Sequence, residues 1–383
     1  GIFGCGQLVK LLVPCLRVKG FKVEAIWSFN DEQAESTAKE LQIPLWTTEI
    51  DKVLLLPNVQ LIVIACPPHL HDQITRHACG IGKHVLCDWP PATSNINIIS
   101  MLNAALNYPT LITILCHSLR FLPAFIQMKS LISQGKIGQL QIVNVNVNGN
   151  NLEGIDRYSM KCDEMMGGGI LANIGTHIID IITFVTGLKA NRVHGITRNN
   201  LHFKRNFNNQ IQSEIWEINA DDFACFQMEL GNNKCLSNVT LNSHLFNDFS
   251  QEILVCGANG YLVVRGCDLF IKQINSKHEE ILVRDADDIC ENNIPSASKL
   301  SLPYPYRKGL VKMISSLREA FNTSPQKSLT DTSQQNGEEK VFNWKKDAVS
   351  LAANFEDGRY IQAVIEAIRF SSKHKEWVRI KGD

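Results

Sequence analysis

The sequence predicts an α/β protein, with an N-terminal doubly wound parallel sheet followed by an α+β domain that carries a large open antiparallel sheet. Three observations lead there. Short apolar runs alternate with helical patterns over residues 1–120, the spacing of a parallel sheet with crossover helices. A glycine turn, Gly4-Cys5-Gly6, joins the first strand to the first helix. Beyond Leu119 the character changes, and residues 141–148 alternate apolar and polar side chains at the strand period of two, as in a sheet with one buried and one wet face.

In chain order, a strand at Ile2-Phe3 leads through the glycine turn into a helix over 8–18. A strand over 22–28 and a helix over 31–41 follow, then a strand over 60–65, a helix over 71–80 and a strand over 84–87. The second domain, 121–383, opens with a helix over 123–134. Its strands fall at 141–148, 192–197, 223–230, 234–241, 252–256 and 261–265, and a helix over 169–185 lies on the sheet. Residues 323–340 are polar and aperiodic, the pattern of a mobile surface loop. A last helix over 355–370 and a short strand at 377–380 close the chain.

A chain of 383 residues accommodates two cores. Lysine plus arginine equal aspartate plus glutamate at 38 each, so no electrostatic argument favours a nucleic acid or an anionic membrane. No apolar run approaches the roughly 18 to 20 residues of a membrane span, and no membrane partner is expected. Most of the twelve cysteines lie in apolar strand-like runs, as at Cys66, Cys87, Cys116, Cys225 and Cys256. They read as buried thiols of a cytoplasmic protein, although the chain opens at Gly1 rather than Met and secretion stays open. No C-x-x-C occurs, and no metal site is expected.

The placement of Gly4-Cys5-Gly6 between strand and helix is that of a Rossmann dinucleotide fingerprint. The first glycine makes the turn, the second admits the pyrophosphate to backbone at Gln7 and Leu8, and the helix N-terminus favours the negative charge. Val9 stands where a third glycine is usual. At the end of the second strand, where a carboxylate commonly holds the ribose, the chain reads Ser28-Phe29-Asn30. A neutral hydroxyl does not repel a 2′-phosphate, so NADP is slightly preferred over NAD.

Residues 64–71, Ile-Ala-Cys-Pro-Pro-His-Leu-His, residues 82–90, Gly-Lys-His-Val-Leu-Cys-Asp-Trp-Pro, and residues 167–180, Gly-Gly-Gly-Ile-Leu-Ala-Asn-Ile-Gly-Thr-His-Ile-Ile-Asp, fall in one order and spacing. In this the chain resembles the glucose-fructose oxidoreductase, inositol dehydrogenase and MocA family over nearly its whole length. The stretches 120–125 and 162–169 resemble an animal branch of it. The resemblance implies a nicotinamide cofactor touched by Cys66, Pro67, Pro68, His71, Asp88, Trp89 and His117, and a homodimer formed through the C-terminal sheet.

Active members of that family carry a Glu-Lys-Pro motif, and an aspartate and a histidine four residues apart. Here these read Asp88-Trp89-Pro90, Asn173 and His177. An indole is an uncharged donor and a carboxamide takes no proton, so the lysine and aspartate functions are missing. The expectation is a cofactor-binding protein with a degraded catalytic centre, in a non-catalytic or cofactor-sensing role. The rival is an NAD(P)-dependent oxidoreductase of a sugar or polyol-like substrate with His177 as base, helped by Asp88 or His117. Trp89 is expected near the nicotinamide, and His69 at the surface.

Overall fold

The computed structural model describes residues 1–149, 160–205, 215–232, 235–245, 249–285, 302–321 and 345–380; the loop expected at 323–340 lies outside them. The N-terminal sheet has six parallel strands in the order β3-β2-β1-β4-β5-β6. These are β1 (Ile2–Phe3), β2 (Ala25–Trp27), β3 (Leu45–Thr47), β4 (Leu61–Ile64), β5 (His84–Cys87) and β6 (Thr113–Leu115). The chain order reverses direction between β1 and β4, which opens a crevice at their carboxyl ends. Helices α1 (Gln7–Val18), α2 (Asp31–Leu41), α3 (Ile50–Leu54), α4 (His71–Gly80) and α5 (Asn95–Asn107) make the crossovers.

The expected bounds at 31–41, 71–80 and 84–87 coincide with the structure, and the strand expected over 22–28 shrinks to three residues. In the first sheet and its crossovers, four elements go beyond the sequence reading. They are β3, a partly exposed edge strand, the five-residue α3, and the pair α5 and β6.

Helix α6 (Pro123–Ser133) leads into a nine-stranded sheet. Its members are β7 (Leu140–Asn148), β8 (Ala190–Arg198), β11 (Phe223–Leu230), β12 (Cys235–Asn242), β13 (Ser250–Gly257), β14 (Gly260–Arg265), β15 (Asp268–Gln273), β16 (Glu280–Val283) and β17 (Val378–Arg379), and a separate ribbon pairs β9 (Phe203–Arg205) with β10 (Ile215–Glu217). All pairs in the large sheet are antiparallel except β7 with β12. The alternation in β7 does what its period requires: Val143, Val145 and Val147 are buried, while Asn144 accepts a side-chain hydrogen bond from Asn238 on the open face.

The helix expected over 169–185 begins instead as a π-helical turn, Leu171–Gly175, and continues as α7 (Thr176–Thr186). The stretch Glu164–Thr186 is long and apolar enough to cross a membrane, contrary to the expectation that no run has that character. Of its most apolar window, 78% is buried within the fold.

Helix α8 (Tyr304–Phe321) was not anticipated, because Pro305 and Gly309 interrupt its apolar period. It belongs in space to the first sheet: Leu310, Met313, Ile314 and Leu317 share a core with Val9, Leu12 and Leu16 of α1. Gly309 permits this, since a Cβ there would stand 2.3 Å from the Ser118 carbonyl oxygen. The last helix, α9 (Phe355–His374), starts at a capping box on Asn354.

Candidate functional site

The crevice at the strand ends continues into a cavity of about 410 Å³. Its wall is assembled from the glycine turn, the loops after β4 and β5, the 161–177 segment and the start of α8.

The two glycines of the turn have different jobs. Gly4 adopts φ +123, and a Cβ on it would lie 2.1 Å from the Ala65 carbonyl oxygen, so the backbone packing of β1 against β4 requires it. Gly6 has nothing within 4 Å of where its Cβ would be. That open space lies at the N-terminus of α1, which no side chain caps and no acidic residue flanks. Uncapped amides and the helix dipole there suit a pyrophosphate, so the residues present fit a dinucleotide.

Of the residues singled out in the sequence, Gly6, Gln7, Leu8, Cys66, Pro68, Asp88, Trp89, Asn173 and His177 line the cavity. The others stand elsewhere. Gly4 and Cys5 are buried behind the turn. Ser28, expected to face the ribose, is buried, and its hydroxyl donates to Gln33 Oε1 at 3.1 Å. Asn30 caps α2 by accepting from the Gln33 amide. Phe29 is 58% exposed and stacks on His69, itself at the surface, with ring centroids 6.1 Å apart. Pro67 precedes the short turn Pro68–Leu70 without lining the cavity.

His71 holds the loop together. It is buried, with Nε2 2.8 Å from the Cys66 carbonyl and Nδ1 beside the Cys87 thiol at 3.3 Å. Nδ1 also lies 3.2 Å from the Pro91 carbonyl, so the ring ties three segments together, and burial pushes its pKa down to about 4 against the pull of the Cys66 and Pro91 carbonyls. Burial likewise pushes the Cys66 thiol up to about 12, leaving it inert.

At the far end of the cavity the substituted positions are occupied with one another. Trp89 Nε1 donates to the Ala172 carbonyl at 2.9 Å, and the Asn173 carboxamide donates to the Gly169 carbonyl at 2.7 Å. The four-residue spacing of Asn173 and His177 crosses the end of the π turn, yet both still reach the cavity. His177 packs between Tyr306 and His117, each with ring centroids 5.0 Å away. Burial, followed by the neighbouring His117, drives its pKa down to about 3, against a weaker upward pull from Asp180.

His117 lies behind this wall, 4.1 Å ring to ring from Trp89, with its pKa also well below the ordinary value through burial and then Arg120. Its Nδ1 stands 3.5 Å from Asp180 Oδ2, but Arg120 already engages that carboxylate through Nε and Nη2 at 2.6 to 3.1 Å. The Asp180 carboxylate beside the histidines is thus neutralised by an arginine.

Sequence reasoning missed Lys161, Met166, Tyr306 and Leu310 on the cavity wall. Their signal is tertiary, because α8 and the 161–167 segment reach the site only through folding. Asp88 is half-buried, and burial lifts its carboxyl to about 7 despite an amide of Trp89 and the charge of Lys161. Among the described residues no group of three or more His, Cys, Asp or Glu could hold a metal ion.

Residues 1–113 match the model of the oxidoreductase family with an NAD-binding Rossmann fold, and residues 125–263 match the GFO/IDH/MocA C-terminal domain. The chain belongs to the GFO/IDH/MocA family of oxidoreductases, with a nicotinamide-dinucleotide-binding Rossmann domain. Glucose-fructose oxidoreductase domain-containing protein 2 of Homo sapiens is 38% identical to it over 381 residues, covering 100% of this chain and 93% of the relative. Glucose-fructose oxidoreductase domain-containing protein 1 of Xenopus tropicalis is 35% identical over 384 residues, covering 99% and 92%.

Solved structures share the fold. An oxidoreductase domain protein from Kribbella flavida superposes with a TM-score of 0.78 at 19% identity, covering 100% of this chain and 98% of that one. Levoglucosan dehydrogenase in complex with NADH and L-sorbose gives 0.76 at 18% identity, covering 100% and 98%.

Proposed function

We propose that this protein holds a nicotinamide dinucleotide in the crevice and does not use it to oxidise sugars or polyols, acting instead as a cofactor-sensing or cofactor-dependent binding protein. The bound group supplies a hydride-accepting or hydride-donating ring. Gly6 and the amides of Gln7 and Leu8 take the pyrophosphate, Pro68, Asp88 and Trp89 line the nicotinamide end, and Phe29 and Asn30, exposed just after β2, are assigned to the adenosine end.

The observation that carries this reading is the state of the three positions that would do the chemistry. Dehydrogenation of an alcohol needs a base for the hydroxyl proton and a donor for the oxygen. Trp89 spends its single N–H on Ala172 and Asn173 one of its two on Gly169, Asn173 takes no proton, and His177, with a pKa near 3, is too weak a base.

NADP is preferred over NAD because no carboxylate ends β2. The open face of the nine-stranded sheet, with Asn144, Asn238 and Gln227 in one hydrogen-bonded row, is proposed as the homodimer surface of a cytoplasmic protein.

Purified protein, denatured and analysed by mass spectrometry, should release NADP or NAD. The retained nucleotide should keep its redox state when sugars, inositols and their relatives are added. Steady turnover of any polyol by the wild type, abolished by His177→Ala, would overturn the reading in favour of an oxidoreductase with His177 as base.

A further inference from the structure

Among the described residues that line the cavity, Lys161 is the one lysine or arginine. It sits on the single turn Met160–Cys162, and its neighbour Cys162 is buried in a small core with Trp216, Ile218 and Ala220. The Cys162 carbonyl accepts from the amides of both Asn219 and Ala220. This satellite core fixes the backbone that bears the lysine.

Downstream, Gly167 packs against Pro90 and Pro68, so the segment closes onto the β4 and β5 loops rather than standing away from them. Lys161 is thereby placed across from Asp88, whose charge draws the ammonium's pKa up while burial draws it down more strongly. No hydrogen bond or ion pair joins Lys161 to another described residue. His177 adds a second polar atom to the same cavity: its buried Nδ1 has no hydrogen-bond partner among the described residues. Much of the remaining wall is apolar, including Leu8, Leu11, Ile174 and Leu310.

A partly desolvated ammonium without a bonded counter-ion costs free energy that an anionic ligand recovers, and charge-assisted hydrogen bonds are about twice as strong as neutral ones. We propose that Lys161 anchors a small carboxylate-bearing ligand in this cavity beside the bound cofactor, in place of the neutral sugar that the fold handles elsewhere. The proposal rests on the reading of the crevice as a cofactor site without dehydrogenase chemistry. Two sources could offer anionic oxygens to Lys161, a separate carboxylate and the phosphates of the cofactor itself, and the proposal assigns the lysine to the first.

The test titrates cofactor-loaded full-length protein with D-gluconate and its neutral counterpart D-glucitol, and with pyruvate and 2-oxoglutarate, by calorimetry and by tryptophan fluorescence. At least one acid should bind saturably while glucitol does not. Lys161→Met should weaken that acid at least tenfold, Lys161→Arg should retain part of the affinity, and both should keep the wild-type melting temperature and cofactor affinity.

Equal binding of acid and polyol, or no acid saturating below about 10 mM, would overturn the proposal. So would a Lys161→Met protein that loses cofactor rather than acid, which would place the lysine on a phosphate. If the wild type retains no nucleotide, the function reading fails, and the same titration on the cofactor-free chain still decides whether Lys161 holds an acid.

Discussion

The two ends of the crevice make different demands on the chain. At the α1 end the groups that a dinucleotide needs are backbone groups, and they are free: Gly6 faces open space and no side chain caps the helix. At the Trp89 end the groups that chemistry needs are side chains, and they are engaged by carbonyls or held neutral by burial. Holding a cofactor requires space and amides, whereas proton transfer requires a base and a charged donor. The two requirements fall on different residues, so one can lapse while the other persists.

The largest effect expected concerns the Trp89 end. The lysine and aspartate functions are each worth roughly 10² to 10⁴ in rate where they operate. Wild type and His177→Ala should therefore show the same background in a polyol assay followed by NADPH absorbance. A hundredfold drop in the variant would break the comparison.

The glycine pair sharpens the other end. Gly4→Ala forces a Cβ onto the Ala65 carbonyl at an unfavourable φ and should cost more than about 3 kcal/mol of stability in denaturant titrations. Gly6→Val should fold, losing about 1 kcal/mol at the helix start, but bind cofactor at least about tenfold more weakly by calorimetry. Equal cofactor affinity for wild type and Gly6→Val would mean that the pyrophosphate lies elsewhere.

A smaller effect concerns acid. His71 is neutral in the fold down to about pH 4, while its unfolded counterpart takes up a proton near pH 6.5. Between those values the unfolded state binds the extra proton, so this group's contribution is complete above pH 6.5 and declines as pH falls. Asp88, with its carboxyl lifted to about 7, has the opposite sign between its ordinary value of 3.8 and 7. The difference between wild type and His71→Gln isolates the histidine. Unfolding curves of the variant at pH 7 and pH 5 should lie closer together than those of the wild type.

The smallest effect is at the crevice mouth. Asn30→Asp keeps the α2 cap and places a carboxylate where the ribose is expected, so the ratio of NADP to NAD affinity should fall by up to about tenfold. Ser28, being buried against Gln33, would report on folding instead.

Local pattern carried the parallel sheet and the glycine turn. Asp31–Leu41 has an Asn cap and a polar face, His71–Gly80 follows a proline turn, and β7 alternates residue by residue. Helix α8 escaped because its Gly309 serves a tertiary contact at the expense of local propensity. The burial of Ser28 against Gln33 could not be read either, because chain position alone does not say which way a side chain at a strand end turns. The substituted positions Trp89 and Asn173 could be read from motif spacing, but their bonds to Ala172 and Gly169 could not. Lys161 was invisible for a further reason: what gives it meaning is its approach to Asp88, and nothing near it in the chain marks that approach.

Helix α8 also bears on where this protein can be cut. The two matched regions end at residues 113 and 263, and Tyr304–Phe321 lies outside both. Yet Tyr306 and Leu310 wall the cavity, and Ser118 donates to the Tyr306 carbonyl at 2.9 Å. A recombinant fragment drawn at the family boundary would carry the glycine turn but not the helix that seals it. Its exposed Leu12 and Leu16 would be an aggregation liability, and a failed cofactor assay on such a fragment would describe the cut, not the protein.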